Sequence, residues 1–438
     1  MLQLYDLRID FNPAPVLALT HGLRFSWKAN SERENVVQKT YRVTICKDAE
    51  IVFDSDTVES DQSCDISFDE LFLQPATQYV WNLCVKDNYD RTAVASLVFS
   101  TELYPDMWRA EWITPADYTV SWSPYLRKKF SAKTDVQRAI LYACGLGCAE
   151  YYINGKKIAD DYIDPPMTNY EKEILYRAYD VTDLIDEQNA IAAWLGEGFY
   201  AQSQVWTHGG FCYGPVCLIA RLEIEYKDGT RDAIVTDTTW KSKKSPIVLN
   251  NIYGGETYDA RLETPDFAMP DSSDLGWIDC VVDATPKGTL KPCNMPPVRI
   301  IKRVPARTVT PCCGKDDGAW IFDLGENYAG VAEFHIPQSS RGHIYVFRYA
   351  ETLNAAGQLD FRSTGSFATQ CVQQDIYVAR GDEGGEMWRP RFTYHGFRYV
   401  EVTGPDYCYQ YGKMPEPELV VGCALSTDLV QAGTFDSS

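Results

Sequence analysis

Sixty-one carboxylates and five histidines define the chemistry that this chain could attempt. Hydrolysis by carboxyl groups needs two of them across a bond, one raised in pKa to act as acid and the other serving as base or nucleophile. Four groupings offer that raw material: Asp160, Asp161 and Asp164; Glu256 and Asp259; Asp323 and Glu326; and Asp382, Glu383 and Glu386. Each also has a plainer reading. ARGDEGGEMW has the composition of a glycine-rich hairpin loop whose acids are solvated. DLGENYAG reads as a turn in which Asp323 and Asn327 bond backbone amides. No GxSxG, no HExxH and no phosphate-cradling glycine loop is present. The remaining candidate base is His395, in RFTYHGFRYVEVTG (Arg391 to Gly404), and no activated serine or cysteine is placed beside it by sequence. There the apolar residues change phase around Gly396, as at a β-bulge. Both faces of the strand are aromatic, so His395 is expected to be a buried hydrogen-bonded neighbour rather than a base.

These side chains must be positioned by strands. In TQYVWNLCVKD, Tyr79, Trp81, Leu83 and Val85 alternate with polar residues, the period of a strand with one buried face. CLIARLEIEY does the same with Leu218, Ala220, Leu222, Ile224 and Tyr226, and Asp228-Gly229 then turns the chain back. EYYINGKKI repeats the device at Asn154-Gly155. Only VTDLIDE (Val181 to Glu187) suggests a short helix. The pattern predicts an all-β chain of three consecutive β-sandwich domains: a fibronectin III/Ig-like unit of seven short strands over 1–104, then two jelly-roll-like units over 105–286 and 287–425, with 426–438 beginning a linker. TELYPDMWRAEWI (Thr101 to Ile113) reads as a connector docked by its tryptophans. KGTLKPCNMPP (Lys287 to Pro297) reads as a Pro/Gly-rich seam.

Composition narrows the partners. With 41 Lys+Arg against 61 Asp+Glu the net charge is −20, and without a basic stripe to displace counterions nucleic acid is excluded as a partner class. A neutral ligand such as a sugar suits this balance. The fourteen cysteines are scattered, without zinc spacing, and are expected to be free thiols. No apolar run approaches the roughly 18 residues of a membrane span. If Met1 is the native start the expected location is the cytoplasm; a removed leader would make it extracellular or periplasmic.

Longer motifs carry a resemblance. EMWRPRFTYHGFRYVEVTG, preceded by DLGENYAGVAEFHI, resembles the β-sandwich that precedes the catalytic domain of bacterial α-L-rhamnosidases of glycoside hydrolase family 78. YYINGKKI, TNYEKEILYRAYDVTDLI and YGGETYDAR, with SPYLRKKF and WRAEWI before them, resemble the neighbouring rhamnose-binding module, carbohydrate-binding family 67. The likeness runs from about residue 20 to the C-terminus, in the family's order.

The resemblance implies an inverting hydrolase of terminal α-L-rhamnosides whose glutamates lie on an (α/α)₆ barrel following a segment like STDLVQAGTFDSS. No position here matches those glutamates, so no catalytic residue is expected in this chain, and the missing barrel is the expected partner. The resemblance implies that rhamnose-binding members hold calcium through an Asp/Asn pair in the loop matching Thr168-Asn169-Tyr170, with an Asn and a backbone carbonyl further on. Here Asn169 stands where the Asp is expected and Tyr170 where the second ligand would be, and THGGFCYGP (Thr207 to Pro215) has no Asn. Calcium prefers several hard anionic oxygens, so no metal or other cofactor is expected. Asn169, Tyr170, Glu197, Trp206 and His208 are the candidates for lining a rhamnose-binding groove. The alternative is a free-standing carbohydrate-binding or adhesion protein. An exposed apolar patch is expected on the third unit and tail, where the chain would dock the barrel or form a homodimer.

Overall fold

The computed structural model describes residues 1–13, 17–120, 122–202, 212–312, 318–364, 372–404, 414–431 and 433–437. The chain is all β; among the described residues helix is confined to single 3₁₀ turns such as Thr182–Leu184, which replaces the short helix expected at Val181 to Glu187. Among the described residues no helix is long and apolar enough to cross a membrane.

In the first unit, Leu2–Ile9 pairs with Phe25–Ser31, and Gln38–Lys47, Glu50–Asp54, Val58–Glu59, Gln78–Asp87 and Thr92–Ser100 form the facing sheet. The alternation in Gln78–Asp87 is realised: Tyr79, Trp81, Leu83 and Val85 are buried, and Trp81 meets Phe25 edge-on at 4.9 Å between ring centroids. The connector then docks as its tryptophans suggest. Trp108 packs at right angles on Tyr176, 5.0 Å away, and the Tyr176 hydroxyl donates to the Leu103 carbonyl at 3.0 Å.

The second sheet has twelve described strands, running from Lys156–Lys157 at one edge to Thr289–Pro292 at the other. It curls around a core that includes Leu141, Leu146, Ile153, Leu195, Leu222 and Tyr226. Both predicted hairpins form. Tyr152 and Ile153 pair with Lys157 and Lys156 across Asn154 and Gly155, whose φ values of 50° and 79° are those that Asn and Gly tolerate. Glu225 pairs with Arg231 across the Asp228-Gly229 turn. The proline-rich seam is itself an edge strand: Thr289–Pro292 runs parallel to Glu173–Asp180. Cys144, Cys148, Cys217 and Cys280 are buried as free thiols and behave as small apolar groups.

The third sheet draws on more than its own stretch of chain. Ile247–Asn251 and Gly255–Asp259, which fall within the span 105–286, hydrogen-bond into the sheet built from Trp320–Ile336, Ile344–Ala350, Gln374–Val378, His395–Thr403 and Val420–Thr427. Gly255–Asp259 runs parallel to Gln374–Val378, with Thr257 opposite Ile376. One apolar cluster consequently holds Tyr125, Ala192 and Trp194 of the second unit together with Phe334, Phe347 and Val400 of the third.

Two local expectations are corrected. DLGENYAG is not a turn but part of the continuous strand Trp320–Ile336, and the register against His395–Thr403 shifts between Asp323 and Tyr328. The extra residues therefore bulge on that partner strand rather than at Gly396. The apolar phase accordingly changes between Phe397 and Val400, opposite the bulge.

The crossing depends on one glycine. Gly255 has φ +105°, and a Cβ there would lie 2.0 Å from the Gln374 carbonyl oxygen. Gly255→Val is expected to cost at least about 3 kcal/mol, combining left-handed strain with a backbone clash. Thermal denaturation should show the second and third units losing stability together.

Candidate functional site

The residues proposed from sequence converge only in part. Asn169 is exposed and its side-chain oxygen already accepts the Glu171 N–H at 3.2 Å, closing a turn. Tyr170 is buried. Its ring stands edge-on to Tyr200 at 5.2 Å and to Tyr213 at 5.3 Å, and these two stack on each other at 5.8 Å. Glu197 is buried, with its carbonyl accepting from Ala201 N–H and its own N–H donating to Asn250. Burial raises the pKa of the Tyr118 phenol, and the charge of Glu197 adds to the effect. Trp206 and His208 lie outside the described residues.

Tyr213, partly exposed, is thus the outward ring of a tyrosine cluster for which Tyr170 is the backing. Sequence reasoning passed over Tyr200 and Tyr213. The available signal was Tyr213 itself, one residue before the Gly-Pro of a glycine-rich loop. The Asn169 side-chain oxygen is already engaged by the Glu171 N–H, and among the described residues no group of three His, Cys, Asp or Glu is placed to hold a metal ion.

His395 joins a fully buried polar network. His395, Asp375 and Glu256 are each buried. His395 Nε2 lies 3.1 Å from Asp375 Oδ2, and the Tyr349 hydroxyl donates to the same oxygen. Asp375 Oδ1 accepts the Glu256 N–H at 2.8 Å, and Glu256 Oε2 accepts the N–H of Arg391 at 3.0 Å. A histidine–aspartate pair orients a base in many hydrolases, but a base must reach its substrate. This one stacks on Tyr349 at 4.2 Å, within the core. The RFTYHGF stretch is an interface: Arg391 lies over Trp194 at 4.3 Å, Phe392 packs against Gly196, and the Thr393 hydroxyl donates to the Ile252 carbonyl at 3.1 Å.

The acidic groupings resolve the same way. Asp323 takes a bidentate pair from Arg398 at 2.8 Å, which together with its other bonds holds its carboxyl below the usual range. Glu386, expected to be solvated, is buried and gathers the N–H groups of Arg380, Gly381 and Asp382, closing its own loop. Asp164 is raised by burial to about 6 but is ion-paired with Arg177 at 2.7 Å. Burial also lifts Asp10, in the first unit.

Glu256 is the most perturbed carboxyl. Burial, aided by the nearby Asp375 charge and opposed by Arg391, pushes it up to about 8. Its Oε1 has no hydrogen-bond partner among the described residues. An unfolded glutamic acid ionises near 4.5, so the unfolded chain gives up this proton first. The contribution to stability is complete below that value and is lost as pH rises through about 8. Glu256→Gln, which keeps the neutral form, should match the parent at pH 4. At pH 8 it should be more stable by on the order of a few kcal/mol, measured as denaturant midpoints across pH.

Against known proteins, three family models match in succession. Residues 4–104 match the Rha78A-like, N-terminal immunoglobulin domain, 134–302 the alpha-L-rhamnosidase N-terminal domain, and 314–423 the bacterial alpha-L-rhamnosidase concanavalin-like domain. An α-L-rhamnosidase of Formosa agariphila is 29% identical over 97% of this chain and 48% of its own length. One from Alteromonas sp. is 31% identical over 87% of this chain and 43% of its own length. The solved α-L-rhamnosidase of Dictyoglumus thermophilum superposes with a TM-score of 0.86 at 30% identity, over 97% of this chain and 49% of that one. The Aspergillus terreus enzyme, at 24% identity and TM-score 0.86, shows the same fold. The chain spans about half the length of the curated relatives it matches. It belongs to the bacterial α-L-rhamnosidase family, glycoside hydrolase family 78, and corresponds to the N-terminal β-structured portion of its members.

Proposed function

We propose that this chain is the non-catalytic β portion of an α-L-rhamnosidase that hydrolyses terminal α-L-rhamnosides with inversion. In this reading it braces a helical catalytic domain and holds a rhamnosyl unit against Tyr213. The observation that carries the non-catalytic half is the state of the carboxyls. An inverting hydrolase needs an accessible acid that stays protonated near neutral pH, facing a second carboxylate with room for water between them. Among the described residues the strongly raised carboxyls, Glu256 and Asp164, are buried and already bonded, while the accessible Asp323 and Asp382 are held ionised by arginines. The binding half is supported by the tyrosine cluster, whose outer ring offers a flat apolar face to a sugar.

Apolar side chains suited to a docked domain are exposed on the last unit and tail, at Ile301, Leu429, Val430 and Phe435. Phe72, Val94 and Leu275 are comparably exposed in the first two units, so exposure alone does not single out the tail.

The chain is expected to release no p-nitrophenol above buffer from p-nitrophenyl α-L-rhamnopyranoside, and turnover would overturn the non-catalytic reading. Calorimetric titration with L-rhamnose is expected to give weak binding that calcium leaves unchanged and that Tyr213→Ala reduces roughly tenfold, a loss of about 1.4 kcal/mol. No binding with or without calcium would leave only the bracing role.

A further inference from the structure

A cavity opens at the seam between the two larger units, and it shares no lining residue with the tyrosine cluster. It measures about 270 Å³, just below the roughly 300–1,000 Å³ of pockets for drug-sized ligands. That is room for one sugar ring rather than a chain of them. Its charged wall holds three acceptors, Glu150, Glu263 and Glu333, and three donors, Lys157, Arg389 and Arg391.

The pairing among these groups limits what the cavity can hold. Glu150 accepts from Lys157 at 2.7 Å and from the Tyr152 hydroxyl at 2.6 Å. Glu333 is bound by Arg303 at 2.7 Å and by Arg389 at 3.2 Å. Glu263 accepts the Tyr258 hydroxyl at 2.8 Å and is ion-paired with Arg380. Positive and negative charge are therefore balanced around the space. An anionic ligand would meet three carboxylates, and a cationic one would meet two guanidiniums and an ammonium.

Arg391 is the exception to this saturation. Its guanidinium lies over the Trp194 ring at 4.3 Å, and its Nε approaches Glu150 only to 3.5 Å. Its side chain makes no hydrogen bond among the described residues, so a planar fork of donors is left over in the cavity wall. A wall that mixes acceptor-only carboxylates with donor-only guanidiniums is matched by hydroxyl groups, because a hydroxyl both donates and accepts. Tyr152, Tyr258 and Trp388 complete the lining with ring surface, and the exposed Met387 stands at the wall's outer side.

We propose that this seam cavity binds one neutral sugar residue, with the Arg391 guanidinium donating to its hydroxyls and Glu150 accepting from them. The site is built by both large units, so a bound sugar bridges them. This inference is independent of rhamnose binding at Tyr213.

The test follows the whole chain by saturation-transfer NMR and tryptophan fluorescence. The probes are methyl α-L-rhamnopyranoside, methyl β-D-galactopyranoside and sodium D-galacturonate. At least one neutral glycoside should bind, and its affinity should fall tenfold or more in Arg391→Lys and in Met387→Trp, which fills the space from an exposed position. Tyr213→Ala should leave that component in place, which separates it from any binding at the tyrosine cluster. Should Arg391→Lys fail to fold, Met387→Trp decides alone. No neutral glycoside binding, binding that survives Met387→Trp, or binding of galacturonate alone would each overturn the proposal.

Discussion

The junction of the two larger units is organised around a buried carboxyl, Glu256, whose pKa burial raises. Glu256 sits on a segment that leaves the second unit to join the third, and it is buried with one oxygen on the Arg391 and Phe392 amides. Asp375 receives it from the other side through the Glu256 N–H and ties in Tyr349 and His395. An ionised glutamate in that position would be costly to bury, so the neutral form is what makes the junction cheap. Because the amides it holds belong to Arg391 and Phe392, the same contact sets the ring of Phe392 against Gly196 and the guanidinium of Arg391 over Trp194.

The chain spends its polar chemistry on structure. His395 and Asp375 have the elements of a proton relay, yet both are sealed in the core. Glu386 gathers three backbone amides to fix a loop, and Asp323 pins Arg398 across a bulge. Where polar groups do reach a cavity, as at the seam, they are balanced in charge and rich in complementary hydrogen-bonding capacity. Such a wall is matched in hydrogen-bonding capacity by a neutral polyol.

Much of the fold could be read because period-two alternation reports burial directly. Tyr79, Trp81, Leu83 and Val85 face the core as their spacing requires, and Asn154-Gly155 turns the chain as its φ tolerance permits. What could not be read was long-range. Nothing local distinguishes Glu256 from Asp259, yet one is buried with a raised pKa and the other is held low by Arg261. DLGENYAG has turn composition but lies within a strand, because a bulge and a turn ask the same residues for the same backbone freedom. In the tyrosine cluster, Tyr170 was singled out through motif position and is the buried backing ring. Its exposed partner Tyr213 comes from a different segment and is brought near only by the folded sheet.

The crossing of Ile247–Asp259 also decides what can be inherited or engineered as a unit. A cut at residue 286 would carry away the two outermost strands of the third sheet and leave Gln374–Val378 as a bare backbone rim. Such a rim recruits foreign β-segments. Shuffling of these modules between proteins is therefore constrained to move the second and third together, whereas the first keeps a core cluster of its own and meets the second through Leu17, Ala76 and the Thr101–Ile113 connector.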